Sequence, residues 1–215
     1  LRQKDKRLAE VIDRVGKIER PVEPDLFMSV IYHIVGQQIS TQALETVWQR
    51  VLTLVQGDFT VSRWLTLSDD DLQKCGMTFK KVTYIKAFVA EVHEGKLDLS
   101  ALQQLPDEAV IKRLSALKGI GTWTAEMLML FSMGRLDVLS YGDLAILRGM
   151  RMVYRHKSLD RERFERYRKR YSPYGSVASL YLWAIASGRY PGYSDPASKE
   201  KSVKGVKDNG SSSET

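Results

Sequence analysis

Two features of this sequence have residue types and spacing suited to chemistry. The first is Gly119-Ile120-Gly121, and the second is Asp143, about one helix and one loop downstream. Leu114 and Leu117 close an apolar pattern that begins at Ala109-Val110, and Ala125, Leu128 and Met129 resume helical spacing after the glycines. The segment therefore predicts helix, tight hairpin, helix. Glycines allow backbone angles closed to other residues and let another chain approach closely. The start of the second helix presents unpaired N–H groups and the positive end of a dipole, a combination that attracts phosphate. A hydroxyl of Thr122 or Thr124 is expected to cap that helix. An ordinary helix corner accounts for the glycines equally well, and a simple N-cap accounts for Asp143. The second role is compatible with catalysis at the same carboxylate.

The run as a whole is more specific. Leu117, Gly119-Ile120-Gly121, Trp123-Thr124-Ala125, Asp137-Val138 and Gly142-Asp143 with Leu144 and Ile146 resemble the helix-hairpin-helix DNA glycosylase superfamily, in particular its 3-methyladenine DNA glycosylase II branch. Val35-Gly36-Gln37-Gln38-Ile39-Ser40 matches a second motif. Ser172-Pro173-Tyr174-Gly175-Ser176-Val177-Ala178, followed by Tyr181-Leu182-Trp183, matches a third. The resemblance spans roughly residues 20–190. It implies an all-α, two-lobed helical bundle with the DNA cleft between the lobes. Residues 1–22 plus 137–195 would form the lobe carrying the carboxylate. Residues 23–136 would form the lobe carrying the wedge loop and hairpin, and 196–215 a flexible tail. Longer members of the branch carry an extra N-terminal β domain. The stretch before Pro21 has no room for one, so the compact form is expected.

The resemblance also assigns roles. Asp143 falls where the family places its catalytic carboxylate, which stabilises the oxocarbenium-like sugar as an N-glycosidic bond breaks and orients the attacking water. Asp137 is the competing carboxylate and is expected to hydrogen-bond within its loop. Trp123 stands where strand-nicking members have a Schiff-base lysine, so a monofunctional hydrolase that leaves an abasic site is implied. Lys118 lies in the hairpin and is expected to face phosphate, together with Gly119, Gly121, Thr122 and Thr124. Trp123, Trp183, Tyr32 and Tyr181, with Met127 at a position usually aromatic, would line the base pocket. Electron-rich rings suit the cationic base of an alkylated purine such as 3-methyladenine. Gln38 matches the side chain that fills the gap left by a flipped base, flanked by Gln37 and Ile39. Family hairpins hold a monovalent cation, Na or K, on backbone carbonyls, here those of Leu117 and Gly119. No cofactor is otherwise required.

Two motif positions depart from the family. Gly175 replaces a basic residue, so phosphate contact near the catalytic loop is expected either to be weaker or to be supplied by Arg148 or Arg151. Ser140-Tyr141 replaces a proline-containing loop. Two alternatives remain open on the same scaffold. One is a glycosylase for deaminated or mismatched bases, and the other is a module that binds damage without cutting.

The elements that must position these residues read as helices. Apolar periodicity predicts helices over residues 25–35, 41–55, 80–92, 143–154, 159–171 and 177–187, with an acidic helix start at Asp69-Asp70-Asp71 and another start at Pro106-Asp107-Glu108. No stretch alternates as a half-buried strand would. The 215 residues carry a net charge of +7. The segment from Pro196 onward holds four lysines against three acids, so nearly all of the excess lies in the body. A basic folded body suits a polyanion. Cys75 is the sole cysteine, which excludes the iron–sulfur cluster of some relatives as well as any internal disulfide. His33, His93 and His156 show no metal-ligand spacing and are expected to be structural or exposed. No apolar run is long enough to span a membrane, and no secretory pattern is present. The expected partner is double-stranded DNA containing damaged bases, met by a monomer. The expected setting is the cytoplasm and nucleoid of a prokaryote or the nucleus of a eukaryote.

Overall fold

The computed structural model describes residues 1–197, so most of the tail expected over 196–215 lies outside the described residues. Within them no β-strand occurs, and the helices in chain order are α1 (Lys6–Val15), α2 (Leu26–Gly36), α3 (Thr41–Val55), α4 (Val61–Thr66), α5 (Asp69–Lys74), α6 (Phe79–His93), α7 (Leu99–Leu102), α8 (Asp107–Ser115), α9 (Thr122–Phe131), α10 (Leu144–Tyr154), α11 (Arg161–Tyr171) and α12 (Gly175–Ala186). Their starts are chemically marked. Asp5, Asp25, Ser40, Thr60, Ser68, Thr78, Asp98, Asp143 and Asp160 each accept a hydrogen bond from a first-turn amide of the helix that follows. No helix among the described residues is long and apolar enough to cross a membrane.

The chain divides into two compact units, Leu1–Glu19 with the segment from Leu136 onward, and Arg20–Arg135. The sequence placed residues 20–22 in the first lobe. They belong to the second because the Arg20 guanidinium lies 3.9 Å over the Phe131 ring and the Glu23 amide donates to the Phe131 carbonyl at 2.9 Å.

In the Arg20–Arg135 unit, α2 is buried along Phe27, Val30, Ile31, Ile34 and Val35, and α3, α6 and α9 pack on it. Helices α8 and α9 pack on each other and are joined by the glycine hairpin. In the other unit α12 is apolar on all sides, burying Ala178, Tyr181, Leu182, Ile185 and Ala186. Its neighbour α11 is the opposite case. It buries only Phe164 and Tyr171 and covers its outer surface with pairs such as Glu162–Arg166 and Arg161–Glu165.

The tightest approach in this unit is between α10 and α12. A Cβ on Gly149 would stand 2.3 Å from the Leu182 carbonyl oxygen and 2.9 Å from its carbon, both of them helix backbone with no room to give. Gly149 is therefore what lets the helix capped by Asp143 lie against α12. Gly149→Ala is expected to lower the urea midpoint and the melting temperature, with a loss at or above the roughly 1–3 kcal/mol typical of overpacked cores. Circular dichroism melts of the two proteins check this.

Candidate active site and nucleic-acid interface

Asp143 is only 7% exposed. It caps α10, its Oδ1 accepting from the amides of Ala145 and Ile146 at 2.9 Å each. The capping role is therefore real, and it fixes the carboxylate at the positive end of a helix. The next residue, Leu144, is 80% exposed, so the helix start is open to the outside although the carboxylate is recessed. A shallow recess of about 360 Å³ lies alongside, lined by Leu144, Ala145, Arg148 and Trp183. Trp183, half-buried on α12, is thus brought to the first turn of the helix that Asp143 caps. Arg148 borders the same recess, whereas Arg151 is taken up by a bidentate pair with Asp195 at 3.0 and 2.6 Å. Of the two arginines considered for phosphate contact, Arg148 is the one at the recess.

The loop before Asp143 is not stiffened by proline. Instead Tyr141 sets its ring edge-on to Phe164 at 5.1 Å, and the Arg161 guanidinium covers it at 4.8 Å. Asp137 is held within the loop as expected, accepting from Ser172 Oγ at 2.6 Å and from the Gly175 amide at 2.9 Å. This explains the departure at Gly175, since a Cβ there would come within 2.9 Å of Asp137 Oδ1. Tyr181 differs from its expected place in a base pocket. It is 7% exposed, and its hydroxyl donates to the Gly16 carbonyl at 3.0 Å, which is a packing role inside its own unit.

In the Arg20–Arg135 unit the hairpin closes through the Leu117 amide on the Leu114 carbonyl and the Ile120 amide on the Leu117 carbonyl, both at 3.1 Å. Gly119 has φ +85°, and a Cβ on it would fall 2.2 Å from the Tyr84 ring. Gly121 differs, because its backbone angle is ordinary and nothing lies within 4 Å of a Cβ placed there. It caps α9 without any side-chain hydrogen bond, so neither Thr122 nor Thr124 is the hydroxyl cap expected. Thr122 is already the first helical residue, and Thr124 is buried one turn in. Lys118 is exposed at the tip, and Trp123 is 46% exposed on the first turn of α9. Met127 sits deeper, 3% exposed.

The loop after α2 is tied to this hairpin. Gln37 Nε2 donates to the Gly119 carbonyl at 2.7 Å, and Lys81 Nζ donates to the Val35 carbonyl at 2.8 Å. Gln37 therefore points inward, while Gln38, at φ +56°, and Ile39, 38% exposed, form the loop's outer face. A cation on the carbonyls of Leu117 and Gly119 would meet oxygens that already accept the Ile120 amide and the Gln37 side chain. Each of these oxygens accepts one bond and keeps a second lone pair, so the two carbonyls can still accept a cation.

Tyr32 lines a recess of about 350 Å³ with Met28, His33, Trp48 and Phe131. Trp48 meets Tyr32 edge-on at 5.0 Å. Burial drives the His33 imidazole down to about 4, so it is neutral at physiological pH. Sequence spacing gives His33 only a structural or exposed role and does not single out Trp48. Only their helical registers with Tyr32, one residue away on α2 and across on α3, carried a signal.

A family model described as the HhH-GPD superfamily base excision DNA repair protein matches residues 31–173, and the chain belongs to that family. Within it, several of the similar proteins are named as 3-methyladenine glycosylases. A DNA-3-methyladenine glycosylase of Saccharomyces cerevisiae is 31% identical, over 76% of this chain and 67% of its own. The solved structure of a DNA-3-methyladenine glycosidase from Bacillus halodurans is 37% identical with a TM-score of 0.79, covering 88% of this chain and 89% of that one. The 3-methyladenine DNA glycosylase of Schizosaccharomyces pombe in complex with abasic DNA is 25% identical, covering 88% and 95%, with a TM-score of 0.76.

The two hairpin glycines should separate in a substitution test. Gly119→Ala is expected to destabilise the unit, whereas Gly121→Ala should stay within about 1 kcal/mol of native, as an uncharged cap exchange does. Thermal melts of both variants read this directly. His33 sets a pH dependence. Its folded pKa of about 4 lies below the ordinary 6.5, so the unfolded chain takes up the proton first. Its contribution to stability is complete above pH 6.5 and is lost as pH falls toward 4, at up to about 1.4 kcal/mol per unit. Burial also lowers the pKa of His156, so His33→Phe should flatten this slope rather than abolish it. Urea titrations across that window measure the slope.

Proposed function

We propose that this chain is a monofunctional DNA glycosylase that hydrolyses the N-glycosidic bond of alkylated purines such as 3-methyladenine in duplex DNA and leaves an abasic site. It is a DNA glycosylase of base excision repair, and DNA is its partner. The observation that carries the finer reading is Asp143, a recessed carboxylate held by two amides at an accessible helix start and bordered by the Trp183 recess.

As the bond between the sugar and the base nitrogen lengthens, its electron pair leaves with the base and the sugar gains positive charge. Asp143 opposes that charge from a fixed position, so little reorganisation is needed as the barrier is crossed. Water then forms the new bond to the anomeric carbon, and its proton passes to the Asp143 carboxylate or to solvent. An alkylated purine already carries positive charge and departs neutral, so no strong general acid is required. Trp123, Trp183 and Tyr32 are aromatic faces suited to such a base, with cation–π attraction on the order of 0.5–2 kcal/mol. Trp123 has no amine, so no Schiff base forms and the strand is not nicked. The start of α9, capped by Gly121 without a side-chain bond, suits a DNA phosphate, with Lys118 beside it. Gln38 and Ile39 are the exposed residues of the loop that would enter the space of the flipped base. The chain acts as a monomer in the compartment that holds DNA.

The decisive experiment is single-turnover base release from methylated duplex DNA by the native chain and by Asp143→Asn. Loss of release by roughly 100-fold or more in the variant, with duplex affinity retained, is expected for removal of such a charge. Equal release by both proteins rejects Asp143. Tight binding to damaged sites without release by either protein identifies a damage sensor instead.

A further inference from the structure

We propose that Asp137 is a positioning residue for this reaction, one whose carboxylate clamps the chain leading to Asp143 onto the start of α12. The proposal rests on the glycosylase reading above. The segment between Leu136 and Asp143 belongs to no helix, and its local backbone bonding includes the long Asp143 amide to Ser140 carbonyl bond at 3.4 Å. Its place must therefore come from elsewhere. It comes from one short stretch, Ser172 to Ser179. Asp137 accepts from Ser172 Oγ at 2.6 Å and from the Gly175 amide at 2.9 Å. The Ser176 amide donates to the Leu136 carbonyl and Ser176 Oγ accepts the Val138 amide, both at 2.9 Å. Ser179 Oγ donates to the Val138 carbonyl at 2.9 Å. Lys4 Nζ holds the Ser172 carbonyl from the other side. Three consecutive residues, 136–138, are thus pinned through backbone and side chain, and the buried Val138 and Leu139 continue from that anchor toward Asp143.

Asp137 is the centre of this clamp because its two oxygens bind two separate points of the α12 start. The contact is also close enough to exclude a side chain at position 175. Both oxygens are engaged with the start of α12, which fits a positioning role. A carboxylate misplaced by about 1 Å can cost on the order of 100-fold in rate while leaving binding intact.

The test compares Asp137→Ala with Asp137→Asn. An asparagine oxygen can still accept the Gly175 amide, and its NH2 can donate to Ser172 Oγ. Single-turnover release by Asp137→Ala should fall about 10–100-fold, with duplex affinity within about twofold of native, and Asp137→Asn should recover most of the rate. If Asp137→Asn is as slow as Asp137→Ala, the charge itself is needed and the positioning role fails. A native rate in Asp137→Ala also overturns it. If Asp137→Ala does not fold, Ser172→Ala, which removes one arm of the clamp, carries the same comparison and should show a smaller loss of rate at unchanged affinity. Amide hydrogen exchange at Val138 and Asp143 gives a readout without substrate. Faster exchange there in Asp137→Ala than in native, with the core unchanged, supports the clamp, and unchanged exchange rejects it. A native chain that releases no base while its variant loosens this loop would count against the glycosylase reading and leave the clamp standing.

Discussion

A buried carboxylate must be satisfied where it stands, and here that requirement falls on the start of α10. Asp143 is withdrawn from solvent and is met by two amides of the helix it caps. Leaving such a group unmet would cost several kcal/mol, so the geometry of the helix start and the geometry of the reactive group are one problem. The rest of the unit serves this arrangement. Gly149 brings α10 against α12, Tyr141 packs on Phe164, and the Ser172–Ser179 stretch anchors the incoming chain. A capped helix end thus doubles as a reactive centre without any exposed, unsupported charge.

Much of the fold was legible because helix boundaries here have chemical marks. Ser40 before Thr41, Ser68 before three aspartates and Asp25 before an apolar face each announce a start, and α3 runs over the residues that periodicity gave it. The short helices α4 and α7 were missed because four to six residues are too few to show a period. The first helix, α1, was missed as well. Its Leu8, Val11, Ile12 and Val15 do carry helical spacing, set among charged neighbours, so the signal for it was present in the sequence. Helix α12 begins two residues before the predicted start because Gly175 reads as a breaker in sequence. In the structure it is required by the close approach of Asp137.

The candidate site was legible where motif and burial agree, as at Asp143 and Trp183, and not where the direction of a side chain decides. Tyr181 and Trp183 are neighbours on one helix. A two-residue step turns a helix by more than a right angle, and that rotation places one in the core and the other at a recess. Thr122 and Thr124 have the chemistry of caps, but Gly121 takes the cap position and moves both into the helix. Gln37 and Gln38 are adjacent and alike, yet the first bonds inward to the Gly119 carbonyl while the second, in left-handed backbone, is exposed. None of these directions can be read from residue type.

The bond from Gln37 to Gly119 joins positions 82 apart in sequence. It makes the loop after α2 and the glycine hairpin one mechanical body, so genetic evidence on either will be entangled with the other. A substitution at Gln37 that weakens repair would look like damage to the base-flipping loop when the lost partner is the hairpin carbonyl. Insertions in the loops between α3 and α8, by contrast, leave this joint untouched as long as α6 keeps Lys81 at the Val35 carbonyl and Tyr84 against Gly119. Variation in this chain is therefore better sorted by which side chains share a bond than by which motif they belong to.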